Sequence, residues 1–186
     1  MKYLQFLVVL LLSSTLMLGC AENKSEPGEN EIAEKEVPAE EINTNQSTIK
    51  APNFALQSVD GKKIKLSDYE GKIVLVDFWA TWCGPCRRGI PDLVELQNQY
   101  KDDLVVIGIS LDQEATLEDV KPFMKEFKIN YPIVYGTQQV VVDYGNIQAI
   151  PTSFVIDQNG NVVNKHVGLV PKSVYEQQIK TLLKKS

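Results

Sequence analysis

Ile73-Val74-Leu75-Val76-Asp77-Phe78-Trp79-Ala80-Thr81-Trp82-Cys83-Gly84-Pro85-Cys86 is an apolar run that ends in a Cys-x-x-Cys pair. An unbroken apolar run of this length reads as a buried strand, and Pro85 suits the first turn of a following helix. An i, i+3 spacing sets both sulfurs on one helix face, near enough to close a small disulfide ring. Cys83 falls at the helix N-terminus, where unpaired N–H groups and the helix dipole favour thiolate over thiol. That makes Cys83 the attacking sulfur and Cys86, one turn deeper, the sulfur that resolves a mixed disulfide.

Other uses of such a pair fit less well. A structural zinc site needs four ligands, and the chain offers only Cys20 and His166 besides the pair. Covalent haem attachment wants Cys-x-x-Cys-His, but Arg87 follows Cys86. An inert bridge closing so short a loop removes little unfolded-state entropy. The pair in its strand–helix setting implies thiol–disulfide redox chemistry.

The chain has 186 residues, the length of one domain with appendages. Residues 1–20 carry Lys2, a nearly all-apolar stretch from Leu4 to Leu12, and then small residues up to Cys20. This pattern reads as an export signal, too short to span a membrane. Residues 21–48 hold eight glutamates against Lys24 and Lys35, a net charge of −6, with no aromatic residue. They read as an acidic tether with a flexible-coil reach of roughly 30 Å. The whole chain carries −5 and Lys2 and Lys50 add +1 each, so residues 51–186 carry only −1. A domain so nearly neutral makes no electrostatic case for nucleic acid.

Within residues 49–186, Asp60-Gly61 joins two short strands as a hairpin. A helix over 84–100 follows the buried strand at 73–78, with Pro91 expected to kink it. The apolar run 104–109 is a second strand, completing a βαβ unit of a parallel sheet. Helices are read over 116–128 and 138–144, with an extended piece at 131–135 between them. Strands 153–156 and 162–167 flank a turn at 157–161, and a helix takes 171–184. The fold class is α/β.

Val76-Asp77-Phe78-Trp79-Ala80-Thr81-Trp82-Cys83-Gly84-Pro85-Cys86, with Pro91 five residues later, resembles the thioredoxin active site. Ala51-Pro52-Asn53-Phe54 and Tyr144-Gly145-Asn146-Ile147-Gln148-Ala149-Ile150-Pro151-Thr152 narrow the resemblance to the membrane-tethered TlpA/ResA branch of that superfamily. It implies a thioredoxin-like fold: a central mixed sheet flanked by helices, an N-terminal hairpin and a helical insert around 112–145. It implies that Pro151 is a cis-proline beside the dithiol, turning the backbone of Ile150 toward an extended substrate. By the same likeness Cys83 and Cys86 are catalytic, and Trp82, Gly84, Pro85, Ile150 and Pro151 contact substrate; at Asp77 the ResA pattern differs, and the resemblance to thioredoxin itself implies a catalytic proton relay beneath the dithiol, with a structural role as the alternative. Leu16-Met17-Leu18-Gly19-Cys20 resembles a bacterial lipobox, making Cys20 the lipid attachment site.

Asp77 interrupts an otherwise apolar strand, so its carboxyl pKa should be raised by burial. The lysine that faces this position in cytoplasmic thioredoxins would come from the next strand, and Leu104 to Ser110 contains none. Trp79 is expected in the core and Trp82 as a partly exposed platform. Arg87 and Arg88 read as solvated helix residues, and His166 as surface or packing.

These readings converge on an extracytoplasmic, lipid-anchored thiol–disulfide oxidoreductase that reduces disulfides of exported proteins. The resemblance implies apocytochrome c as a substrate and a membrane thiol-electron transporter as the reductant. No metal and no cofactor beyond the Cys83–Cys86 disulfide is expected. Two rivals stand beside this reading. A thiol peroxidase would place Pro and Thr where Val76 and Ala80 stand. A non-enzymatic docking module for apocytochrome or haem requires an inert dithiol.

Overall fold

Strand β4 (Ile73–Trp79) is buried along all seven residues, as an apolar run with neighbours on both faces must be. In the computed structural model, which describes residues 49–184, it pairs in parallel with β5 (Leu104–Ser110). On its other side it pairs antiparallel with β7 (Thr152–Ile156). The sheet is completed by β1 (Ile49–Lys50), β6 (Ile133–Tyr135) and β8 (Asn161–Val167), in the order β1-β8-β7-β4-β5-β6. It is mixed, as expected.

Alternation along β4 divides the core. Ile73, Leu75 and Trp79 pack beneath helices α1 (Gly84–Gln99), α2 (Val120–Glu126) and α4 (Lys172–Leu183), through Ile90, Phe123 and Ile179 among others. Val74, Val76 and Phe78 face the opposite layer. There they meet Val140 of α3 (Gln138–Asp143) and Leu56 of β2 (Ala55–Gln57). Strand β2 pairs with β3 (Lys63–Lys65) in the N-terminal hairpin, turning at Gly61 with φ +80°. The hairpin docks on the sheet edge through an antiparallel bridge from Ser58 to Val134.

Several boundaries differ from the sequence reading. The helix expected over 116–128 is a 3-10 turn at Leu117–Asp119 followed by the shorter α2. Pro122 explains this: a proline is tolerated in a helix's first turn, where its missing N–H has no intrahelical partner. A start at 116 would have put that proline in the interior. Helix α3 forms despite three consecutive valines because the Thr137 side chain caps it, accepting the Val140 N–H at 3.3 Å. Helix α1 runs through Pro91 unbroken.

Gly108 of β5 lies directly opposite Asp77. A Cβ there would stand 2.4 Å from Ile133 Cδ1 and 2.9 Å from Trp79 Nε1. The buried indole therefore needs a residue without a side chain beside it. Gly108→Ala is expected to destabilise the protein by about 1–3 kcal/mol through overpacking, read as a lower midpoint in guanidinium unfolding.

Candidate active site

Chain direction brings the dithiol to the end of the central strand. Beyond β4 the backbone turns at buried Ala80 and Thr81, and Cys83 becomes the N-cap of α1. Its Sγ accepts the Cys86 N–H at 3.2 Å. This is one of the amides that a helix leaves unpaired at its start. The two cysteines form a disulfide with Cα atoms 5.3 Å apart. Both are buried, whereas Trp82 beside them is 63% exposed.

A second segment closes on the sulfurs. The Ile150–Pro151 peptide is cis, and the Ile150 carbonyl oxygen lies 3.7 Å from Cys83 Sγ. Pro151 in turn accepts the Gly168 N–H at 2.8 Å, tying this loop to the end of β8. The structure thus brings Cys83, Cys86, Trp82, Ile150 and Pro151 together, with Gly84 and Pro85 in the first turn of α1.

Asp77 points to the α1 and α4 side of the sheet by strand alternation. It is buried, and burial pushes its carboxyl up to about 8. No cation offsets this: Gly108 occupies the facing position on β5, and Ser153 the one on β7. A cavity of about 20 Å³ touches Asp77, Cys86, Pro151 and Tyr175, enough for roughly one water molecule. Leu169 also lines it and approaches α1 closely at Gly89, where a Cβ would stand 2.9 Å from Leu169 Cδ1 and the leucine tip would have to shift.

Other side chains around the site have partners that only the fold brings to them. Arg87 is not simply solvated. Its guanidinium lies 5.1 Å from the ring centroids of both Phe123 and Phe127, and Nη1 donates to the Thr81 carbonyl at 3.2 Å. It fastens the turn before Cys83 to α2. Asp112 is buried and accepts from the Thr81 amide at 3.0 Å, the Thr81 hydroxyl at 2.5 Å and the Ser110 hydroxyl at 2.8 Å. The same turn is therefore held from the segment that follows β5 as well. Trp79 is in the core as expected. His166 meets the ring of Tyr175 edge-on at 5.6 Å and contacts Gln178. Among the described residues no group of three or more His, Cys, Asp or Glu is arranged to hold a metal ion. Cys20, the signal and the tether lie outside the described residues.

Residues 48–165 match the AhpC/TSA family. The chain belongs to that family. It is 39% identical over 126 residues to the thiol-disulfide oxidoreductase ResA of Bacillus cereus, spanning 68% of this chain and 72% of that one. A thiol:disulfide interchange protein of the thioredoxin family from Chlorobium tepidum superimposes with a TM-score of 0.65 at 37% identity. That match covers 73% of this chain and 97% of the other. The exposed lipoprotein thioredoxin Etrx1 of Streptococcus pneumoniae gives 0.62 at 33% identity, covering 70% of this chain and all of the other. The fold is thioredoxin-like, and the chain is a thiol–disulfide oxidoreductase of the ResA type.

The buried acid makes stability depend on pH. Asp77 titrates at about 8 in the folded protein against an ordinary 3.8, so between these values the folded state binds the proton more tightly. Its contribution is complete below the unfolded value and is lost as pH rises through the folded one. Asp77→Asn is expected to remove this decline and to be more stable at pH 8 by about 2–4 kcal/mol. Chemical denaturation of both oxidised proteins across the pH range measures the difference.

Proposed function

We propose that this oxidoreductase acts outside the cytoplasmic membrane, held by a lipid on Cys20 at the end of an acidic tether, and reduces disulfides of exported proteins. The export-type segment 1–20 and the lipobox-like Leu16-Met17-Leu18-Gly19-Cys20 support this location. So does the likeness to an exposed lipoprotein thioredoxin. Apocytochrome c is the substrate we favour within that class, with a membrane thiol-electron transporter returning the protein to its dithiol form. Such a donor is needed because compartments outside the cytoplasm tend to keep dithiols oxidised.

The observation that carries the chemistry is the sulfur of Cys83 capping α1 above a cavity shared by Cys86 and Asp77. In the dithiol form, the Cys83 thiolate attacks one sulfur of the substrate disulfide. The other substrate sulfur leaves and takes up a proton. Asp77 then accepts the Cys86 proton, and the Cys86 thiolate attacks Cys83 Sγ. The second substrate sulfur departs with a proton, and two electrons have moved from the cysteine pair to the substrate. Trp82, Gly84, Pro85, Ile150 and Pro151 form the surface the substrate meets, with the Ile150 backbone pairing to its extended chain.

The purified reduced protein is expected to reduce insulin disulfides, and Cys83→Ser to abolish this. Consumption of peroxide in preference to disulfides would favour a peroxidase instead, and an inert dithiol would favour a docking module. Asp77→Asn should slow release of substrate from Cys83 by about 100-fold while changing the first attack little. In the wild type this second step should accelerate as pH rises through about 8, where Asp77 ionises. Stopped-flow kinetics separates the steps. An unchanged second step from about pH 6 to 9 would make Asp77 structural.

The lipid anchor has its own test. Cys20→Ala is expected to move the protein from the membrane fraction to the soluble one. Continued membrane association after signal removal would contradict the anchor.

A further inference from the structure

One polar group on the helix-covered face of the sheet has no part in the mechanism above. Ser153 of β7 is the Cα partner of Asp77 on one side and of His166 on the other. Side chains of directly paired residues share a sheet face, so Ser153 stands next to Asp77. The Ser153 hydroxyl contacts the Tyr175 hydroxyl from α4 at 2.8 Å, and both residues are buried.

Two hydroxyls carry two donor protons, and the contact between their oxygens uses one. A buried O–H left without an acceptor is costly, by as much as the desolvation of the group. Tyr175 lines the same small cavity as Asp77 and Cys86. Asp77 is the one carboxylate among the residues lining that cavity, and it faces Gly108 and Ser153 and no cation on the neighbouring strands.

We propose that the Ser153–Tyr175 pair is a positioning device for Asp77: one proton bridges the two hydroxyl oxygens, and the other is delivered from Tyr175 to the Asp77 carboxylate through a single water in the cavity they share. The inference rests on Asp77 serving the dithiol as described above, and it names what aims and stabilises that base. A hydrogen bond to the ionised form favours ionisation. The pair therefore offsets part of the desolvation that raises Asp77, and keeps a buried acid usable as a base near neutral pH.

Other titratable groups approach Asp77 or Tyr175 from the neighbouring elements. Cys86 approaches from α1 across the cavity. Tyr131, in the segment before β6, feels the Asp77 charge but does not line the cavity toward Cys86. Asp92 of α1 bears on Tyr175. His166 packs against the Tyr175 ring, and its Nε2 is engaged by Gln178.

Carboxyl-carbon NMR of the reduced, aspartate-labelled protein tests this, with the Asp77 signal assigned by its loss in Asp77→Asn. The Ser153→Ala/Tyr175→Phe double variant is expected to raise the Asp77 titration midpoint by about one pH unit. Tyr175→Phe alone, which keeps the ring packing, should also give an upward shift because the donor to the cavity water is lost; it decides the question if the double variant does not fold. The pH profile of the resolving step should move with the midpoint, which a purely structural role would not cause. An unmoved midpoint in the folded variants overturns the proposal. The NMR readout needs no turnover. Failure of the disulfide-reductase reading would show separately, as a wild-type protein inactive on insulin.

Discussion

The Cys86 amide donates to Cys83 Sγ at the first turn of α1, and most of the structure around it holds that contact in place. The helix can begin there only because β4, buried on both faces, delivers the chain to the end of the sheet. The turn between strand and helix is fixed from two sides. Arg87 reaches back from α1 to the Thr81 carbonyl while stacking on α2, and Asp112 holds the Thr81 amide and hydroxyl. A third segment, carrying Ile150 and Pro151, brings a carbonyl oxygen to within 3.7 Å of Cys83 Sγ. The attacking sulfur is preorganised by backbone and packing, with no metal or prosthetic group in the scheme.

The second half of the reaction depends on the same strand–helix junction, one layer deeper. Cys86 is buried below Cys83, away from bulk water that could take its proton. Asp77 sits under it in a strand that would otherwise be wholly apolar, opposite a glycine that leaves no space for a neutralising side chain. Burial alone lifts its carboxyl to about 8, close to the pH at which a general base is useful. The free energy lost by burying the acid is the counterpart of that tuning. The hydroxyls of Ser153 and Tyr175 moderate it without introducing charge.

Much of this was legible in the sequence, for identifiable reasons. The Cys-x-x-Cys after a continuous apolar run announces a buried strand feeding a helix, and both elements formed within a residue or so of the expected limits. The hairpin at Asp60-Gly61 and the turn at 157–161 carry their own local chemistry, in which Asp157 Oδ1 accepts from the Asn159 and Asn161 amides at 3.0 and 2.8 Å. The cis bond before Pro151 came from family resemblance and not from composition or periodicity. What escaped were contacts between distant segments. Thr81 and Asp112 are 31 residues apart, and Ser153 and Tyr175 are 22 apart. Arg87 looked like a surface residue because only the fold brings Phe123 and Phe127 beneath it. The start of α2 was misjudged through periodicity read without regard to Pro122.

Helix geometry makes Cys83, and not Cys86, the nucleophile. This is tested most directly by alkylating the reduced protein over a range of pH and following each cysteine by mass spectrometry. Cys83 should react first, with an apparent pKa below the reference of about 8.5, and Cys86 should stay protected until well above it. Faster modification of Cys86, or a Cys83 that titrates as an ordinary thiol, would contradict it.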